Sequence, residues 1–204
     1  MRPHEGRGRR LTLRLVAVAL AALALLNDWK SPATARHHAP QLIVEDSVGA
    51  DLEALARESW RHFLLVFGAR EGCFGDVHLR AVWALDSRAG YDPDTATVTV
   101  QVPGTAATLE SALVHEWAHH IEFQCRAHTE LRPAFLAAQG LPPDTPWRPD
   151  GLAGVLPAGD WSTMPSEQYA EAVVEAVLGG RPMPTWVRVT PEAVAVVEAW
   201  AGGR

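Results

Sequence analysis

Two histidines flank a glutamate in the pentapeptide His115-Glu116-Trp117-Ala118-His119. On a helix, residues at positions i and i+4 lie on one face, so both imidazoles can bind a single metal ion. Glu116 lies about 100° round the helix from His115, near the place where a water ligand of that ion would lie. Zinc lowers the pKa of such a water to about 7, and a neighbouring carboxylate can then accept its proton. The pattern therefore predicts a Zn²⁺ site with Glu116 as its general base.

A catalytic zinc site needs a third protein ligand and keeps one further position open. Glu122 lies on the same predicted helix as His119, where backbone geometry keeps it from binding the ion that both histidines bind. Glu167, 48 residues beyond His119, is the better candidate. We therefore predict that His115, His119 and Glu167 are the metal ligands.

The segment around Glu167 has the periodicity of a helix with one apolar stripe. The stripe consists of Ala170, Val173, Val174 and Val177. Glu167 and Glu171 lie one turn apart along its border, where a carboxylate can reach a buried partner. We predict that Glu171 accepts the remaining N–H of a ligating histidine, an arrangement that orients such rings. The alternative is that both are surface acids on an alanine-rich helix.

The N-terminal residues have the pattern of an export signal. Three arginines precede an apolar run over residues 15–26, and residues 33–35 fit a small-x-small cleavage site. The run is short for a membrane span, which takes about 20 residues. We expect residues 1–35 to be a signal peptide or an uncleaved membrane anchor. Residues 36–204 would then form one domain of a secreted or extracytoplasmic protein.

The chain has two cysteines, Cys73 and Cys125, which lie 52 positions apart. In an exported protein, an even number of cysteines favours a disulfide over free thiols. We predict a Cys73–Cys125 disulfide, which would stabilise the fold by about 4 kcal/mol on the chain-entropy model.

Charge is distributed unevenly along the chain. The first 35 residues hold six of the 18 basic residues but only two of the 24 acidic residues. The remaining 12 basic and 22 acidic residues give the rest of the chain a net charge of −10. Because so acidic a domain repels phosphate groups, we expect no nucleic-acid partner.

Strand-like patterns precede most of the helix-like patterns, an order that predicts an α+β fold. We expect strands at residues 41–45, 77–85 and 95–102, and helices at residues 50–67, 108–125, 131–139, 165–178 and 192–201. Residues 95–102 alternate polar and apolar side chains, which is typical of a half-buried strand at the edge of a sheet. Residues 91–94 are expected to form a turn, and Thr108 to cap the helix that contains His115.

Two strings of residues in this chain resemble those of the gluzincin-type zincin metallopeptidases. They are His115-Glu116-x-x-His119 and Glu167-x-x-Ala170-Glu171-Ala172. The chain is especially similar to the small gluzincins and to the catalytic domain of anthrax lethal factor. The resemblance covers roughly residues 75–178.

This resemblance implies a zincin-like fold: a small mixed sheet whose edge strand precedes the active-site helix, followed by a mostly helical C-terminal part. It implies zinc held by His115, His119 and Glu167, with Glu116 as base and acid. The strand at residues 95–102 would pair with the substrate backbone. The expected protein is a secreted, monomeric zinc peptidase that acts on a peptide or protein and meets a membrane only through an uncleaved N-terminal segment.

A second resemblance points to a different metal hydrolase. Glu71-Gly72-Cys73, taken with the two histidines, is similar to peptide deformylase, in which one cysteine and two histidines bind the metal. The glycine- and alanine-rich segment of that family is absent from the sequence, and an export signal does not suit an enzyme that acts on nascent chains. A Cys73–Cys125 disulfide would argue against this alternative.

A third possibility is an exported binding or scaffold module in which the motif is vestigial. Bound metal together with hydrolysis of unfolded protein would distinguish the peptidase from such a module.

Overall fold

The computed structural model describes residues 39–148, 161–180 and 183–204. The strands are β1 (Leu42–Val44), β2 (Val77–Val82), β3 (Ala89–Asp92) and β4 (Thr97–Gln101). The α-helices of these residues are α1 (Ala50–Phe67), α2 (Ala106–Gln124), α3 (His128–Ala138), α4 (Pro165–Leu178) and α5 (Pro191–Ala201). A 3₁₀ segment, Gly68–Cys73, continues from α1. The α+β class predicted from the sequence is confirmed.

The four strands form one mixed sheet in the order β1-β2-β4-β3. β1, β2 and β4 run parallel, and β3 pairs antiparallel with β4. The prediction that residues 95–102 lie at the sheet edge is therefore wrong, because β4 has a partner on each side. β3 occupies that edge instead. It has only four residues, part of which we expected to form a turn, and it is too short to show the alternation that identifies a strand.

An aromatic core lies between α1 and α2. The spacing of α1 buries Trp60, Phe63 and Phe67 on one face. Trp117 of α2 packs edge-on against this face, with ring centroids 5.0 Å from Trp60 and 5.6 Å from Phe63. Burying each such side chain stabilises the fold by roughly 1.5–3 kcal/mol. One face of α2 thus packs against α1, and another face packs against α4.

The α2 helix begins earlier than the sequence suggested. Thr105 is its N-cap, and the Thr105 hydroxyl accepts a 3.3 Å hydrogen bond from the backbone N–H of Thr108. Thr108 is therefore the partner of the cap and not the cap itself. All ten residues from Leu113 to Glu122 are buried. This burial all round makes α2 the central element of the described fold.

The C-terminal helices lie almost where their sequence signals placed them. α4 begins at Pro165 and ends before Gly179, whose φ of 69° is left-handed and favours glycine. α5 begins at Pro191 after the capping hydroxyl of Thr190. Proline at a helix start and glycine at a helix end are strong local signals, which is why these predictions are confirmed.

The predicted disulfide between Cys73 and Cys125 is present, with the two Cα atoms 4.7 Å apart. It joins the 3₁₀ segment to the end of α2. Because its sulfur is oxidised, Cys73 cannot act as a thiolate ligand, so the deformylase alternative lacks its cysteine ligand.

A disulfide is compatible with an extracytoplasmic location. Within the described residues, no helix is long and apolar enough to cross a membrane. The expected export signal at residues 1–35 lies outside the described residues. The described residues belong to one compact unit, Ala39–Arg204.

His128 begins α3 and is fully buried among three aromatic rings. Ring centroids lie 4.5 Å from Tyr169, 5.3 Å from Trp147 and 5.9 Å from Trp200. Neither ring nitrogen has a hydrogen-bond partner among the described residues. Burial in this apolar setting lowers the pKa of His128 to about 3, because the charged imidazolium would lose its hydration.

Acid should therefore destabilise the protein through His128. Below pH 6.5, His128 is protonated in the unfolded chain but stays neutral in the folded chain. The free energy of unfolding therefore falls as the pH falls toward 3. Between pH 7 and 4.5 the loss should be on the order of 2–3 kcal/mol. Urea unfolding of wild type and His128→Leu over this range should show a smaller loss in the variant, since all other titrations are shared. His62→Leu, at an exposed position, is the control, and parallel pH profiles for wild type and His128→Leu would contradict the prediction.

Candidate metal centre

Helices α2 and α4 pack against each other and bring the three predicted metal ligands together. His115 and His119 lie one turn apart on α2, and Glu167 lies in the first turn of α4. Their exposed fractions are 9%, 6% and 4%. The three residues form a buried group that could hold a metal ion. The structure thus brings together residues that the sequence separates by up to 52 positions.

The three potential ligand atoms form a nearly equilateral triangle. The Nε2 atoms of His115 and His119 lie 3.2 Å apart. Oε2 of Glu167 lies 3.1 Å from the Nε2 atom of His115 and 3.4 Å from that of His119. Each side of the triangle is short enough for one small cation to contact all three atoms.

The other nitrogen of each imidazole faces a carboxylate. Nδ1 of His115 lies 3.0 Å from Oε1 of Glu171, and Nδ1 of His119 lies 2.8 Å from Oε2 of Glu122. Because an ionised carboxylate only accepts hydrogen bonds, each Nδ1–H donates to its glutamate. When both imidazoles are neutral, each Nε2 presents a lone pair toward Glu167. The two Nε2 atoms and Oε2 of Glu167 are then three converging acceptors, an arrangement that a cation stabilises.

Without a metal ion, a proton on His119 takes the place of the cation in this group. Burial lowers the pKa of His119, but its hydrogen bonds with Glu122 and Glu167 outweigh burial and raise the pKa to about 9. Burial raises the pKa of Glu167, yet hydrogen bonds with His115 and His119 hold that pKa well below its usual range. The carboxylates of Glu122 and Glu167 therefore stay ionised at neutral pH, and they attract positive charge to the centre, either a proton on His119 or a metal ion.

Glu116 lies at the wall of a cavity beside this group. The cavity has a volume of about 340 Å³ and is also lined by His115, Glu171 and Trp161. The Trp161 ring stacks on His115, with centroids 6.0 Å apart. No hydrogen bond or ion pair ties the Glu116 carboxylate to another described residue. Burial raises the pKa of Glu116, although the neighbouring His115 and His119 oppose this rise. This carboxylate can therefore exchange a proton with a molecule in the cavity.

Glu171 and Glu122 each contact one of the two histidines. Glu171 lies beside His115, and its role as partner of a metal-ligating histidine stays a prediction. Glu122 is outside the group of three residues that could hold a metal. The hydrogen bond from His119 to Glu122 was missed. The i,i+3 spacing of these residues on one helix was the available signal.

Three further residues around Glu122 carried no sequence signal. Ser166, Trp147 and Arg148 all contact the Glu122 carboxylate. Trp147 and Arg148 belong to a segment without helix or strand periodicity, so their position depends on tertiary structure.

No protein-family model, curated protein or solved structure matches this chain.

Proposed function

We propose that this protein is a zinc-dependent peptidase. The observation that carries the proposal is the convergence of Nε2 of His115, Nε2 of His119 and Oε2 of Glu167 beside the carboxylate of Glu116. Two imidazoles and one carboxylate are a donor set typical of catalytic zinc. Zinc bonds of about 2.0–2.1 Å at tetrahedral angles separate ligand atoms by about 3.3–3.4 Å, and the three separations here are 3.1, 3.2 and 3.4 Å.

Zinc held by these residues would polarise a substrate carbonyl and acidify a water molecule. Glu116 accepts the proton of the attacking water and then donates a proton to the leaving amine. Glu116 lines the cavity beside His115, where its carboxylate can reach such a water and the leaving amine. Glu171 holds the imidazole of His115 in place.

A peptide substrate fits the surroundings of Glu116. The outer edge of β3 has no strand partner among the described residues, and Ala89 at the start of β3 lines the same cavity as Glu116. An extended peptide can add to such an edge through backbone hydrogen bonds. The role expected of residues 95–102 is therefore assigned to β3. Ala112, Met183 and Pro184 give the cavity apolar walls for a side chain.

The proposal includes membership of the zincin metallopeptidases, of the gluzincin type with a glutamate as third ligand. The arrangement of His115, His119 and Glu167 supports it, together with an antiparallel edge strand beside the site helix. We further propose that the protein is exported, since a Cys73–Cys125 disulfide is stable in an oxidising compartment.

Metal analysis combined with a proteolysis assay tests the proposal. The purified chain should contain about one zinc per molecule and should cleave denatured casein. A chelator such as 1,10-phenanthroline should abolish cleavage, and added Zn²⁺ should restore it. A chain that binds no metal would refute the zinc centre. A chain that binds zinc but cleaves neither casein nor a library of unstructured peptides would instead support a binding module.

A further inference from the structure

The carboxylate of Glu122 has hydrogen-bond donors at both of its oxygens. Nε1–H of Trp147 donates to Oε1 at 3.0 Å. Nδ1–H of His119 and the hydroxyl of Ser166 each donate to Oε2 at 2.8 Å, and Nη2 of Arg148 lies 3.4 Å from the same oxygen. Four donors thus fix one carboxylate in position and orientation.

These donors come from three parts of the chain. Nη2 of Arg148 also donates to the Ser166 hydroxyl at 2.6 Å and lies 3.7 Å from Oε1 of Glu167. The backbone N–H of Ser166 donates to the carbonyl of Trp147 at 3.1 Å. The segment Trp147–Arg148 therefore links Glu122 on α2 to Ser166 and Glu167 on α4, the two helices that supply the metal ligands.

We propose that Glu122 is a positioning residue, held by Trp147, Ser166 and Arg148, that orients Nε2 of His119 toward the metal. This inference rests on the metal centre proposed above. The two imidazoles are then oriented by different residues. Glu171 of α4 orients His115, whereas Glu122, held by the Trp147–Arg148 segment, orients His119.

The geometry favours orientation of His119 over a general stabilising role. A buried carboxylate loses much of its hydration, and only well-placed donors offset that loss. The Trp147 indole holds Oε1 of Glu122 and the Ser166 hydroxyl holds Oε2, so the carboxylate is fixed in the position where Nδ1–H of His119 donates to it. Arg148, with 38% of its side chain exposed, is the cation that balances this charge.

Glu122→Gln tests the inference, because the amide keeps the size but loses the charge. Its zinc affinity, measured by competition with a chromophoric chelator, should fall about 10- to 100-fold. Glu110→Gln is the matched control, since Glu110 is on the same helix and accepts a hydrogen bond from Ser59 of α1 at 3.1 Å. Its zinc affinity should equal that of wild type. Trp147→Phe removes one hydrogen-bond donor to Glu122 but keeps an aromatic ring. It should also lower the zinc affinity, by a smaller factor than Glu122→Gln.

A spectroscopic measurement separates orientation from stability. In the Co²⁺-substituted protein, the N–H of each ligating imidazole should give one paramagnetically shifted, solvent-exchangeable proton resonance. Glu122→Gln should move or broaden the His119 resonance and leave the His115 resonance in place. The thermal unfolding of the metal-free variants, measured in parallel, shows how much stability each substitution costs.

Four outcomes are decisive. Wild-type zinc affinity in Glu122→Gln, or both Co²⁺ resonances unchanged, would overturn the inference. A loss of affinity in Glu110→Gln as large as that in Glu122→Gln would also overturn it, because general helix stability would then explain the effect. If wild type binds neither Zn²⁺ nor Co²⁺, the metal centre itself fails.

Discussion

Glu116→Gln is expected to lower peptide hydrolysis about 10²- to 10⁴-fold while the protein keeps its zinc. The amide is nearly the same size as the carboxylate but cannot accept a proton from water. Glu116 is not one of the three converging ligands, and no hydrogen bond ties its carboxylate to the described fold. Metal binding and folding should therefore survive the substitution. This separation of hydrolysis from zinc content is the sharpest test of the role assigned to Glu116.

Three measurements on Glu116→Gln decide the matter: zinc content, thermal stability and the rate of casein cleavage. Glu110→Gln again serves as the control, because it makes the same chemical change on the same helix away from the cavity. Undiminished cleavage would remove Glu116 from the mechanism. Loss of zinc or of folding would show that Glu116 has a structural role instead.

Glu167→Ala should remove zinc, so that the metal content falls from about one ion per chain to near zero after desalting. Only the two imidazoles would remain, and a catalytic zinc site needs three protein ligands. Cleavage should disappear with the metal. The substitution also removes a buried carboxylate that contacts both histidines, so the metal-free variant should be tested for folding by circular dichroism.

Glu175→Ala is the matched control for this experiment. Glu175 lies two turns further along α4, is only partly buried and is not part of the ligand group. Its zinc content and activity should match those of wild type. A folded Glu167→Ala protein that keeps stoichiometric zinc would exclude Glu167 as a ligand and leave the third ligand to be found elsewhere.

Much of the site could be predicted from sequence because its chemistry coincides with helical spacing. The i,i+4 pair His115 and His119 needs only a helix to share one face. Glu167 and Glu171 could be placed because they border an apolar stripe and therefore lie next to the core. These inferences depend on local geometry, which a single sequence carries.

The features that could not be predicted from the sequence depend on contacts between distant segments of the chain. The Thr–Val alternation of β4 is also found at sheet edges, and only the pairing of the short β3 shows that β4 is an inner strand. Trp147 and Arg148 reach Glu122 from an irregular segment whose path no periodicity describes. Thr105 and Thr108 are both suitable N-cap residues by type. Which of them caps α2 depends on the residue at which the chain turns from β4 into the helix.

The burial of ten consecutive residues in α2 has a consequence for the dynamics of this protein. A helix with a solvent-facing side can fray or open locally, so its amide protons exchange at a cost below the global free energy of unfolding. No residue from Leu113 to Glu122 is more than 9% exposed, even where His115 and Glu116 line the cavity. The aromatic core and α4 pack against this segment. Its amides should exchange with solvent only when the whole domain opens. His115, Glu116 and His119 thus belong to the slowest-exchanging unit, and any substitution that weakens the core raises the frequency at which the geometry of the centre is lost.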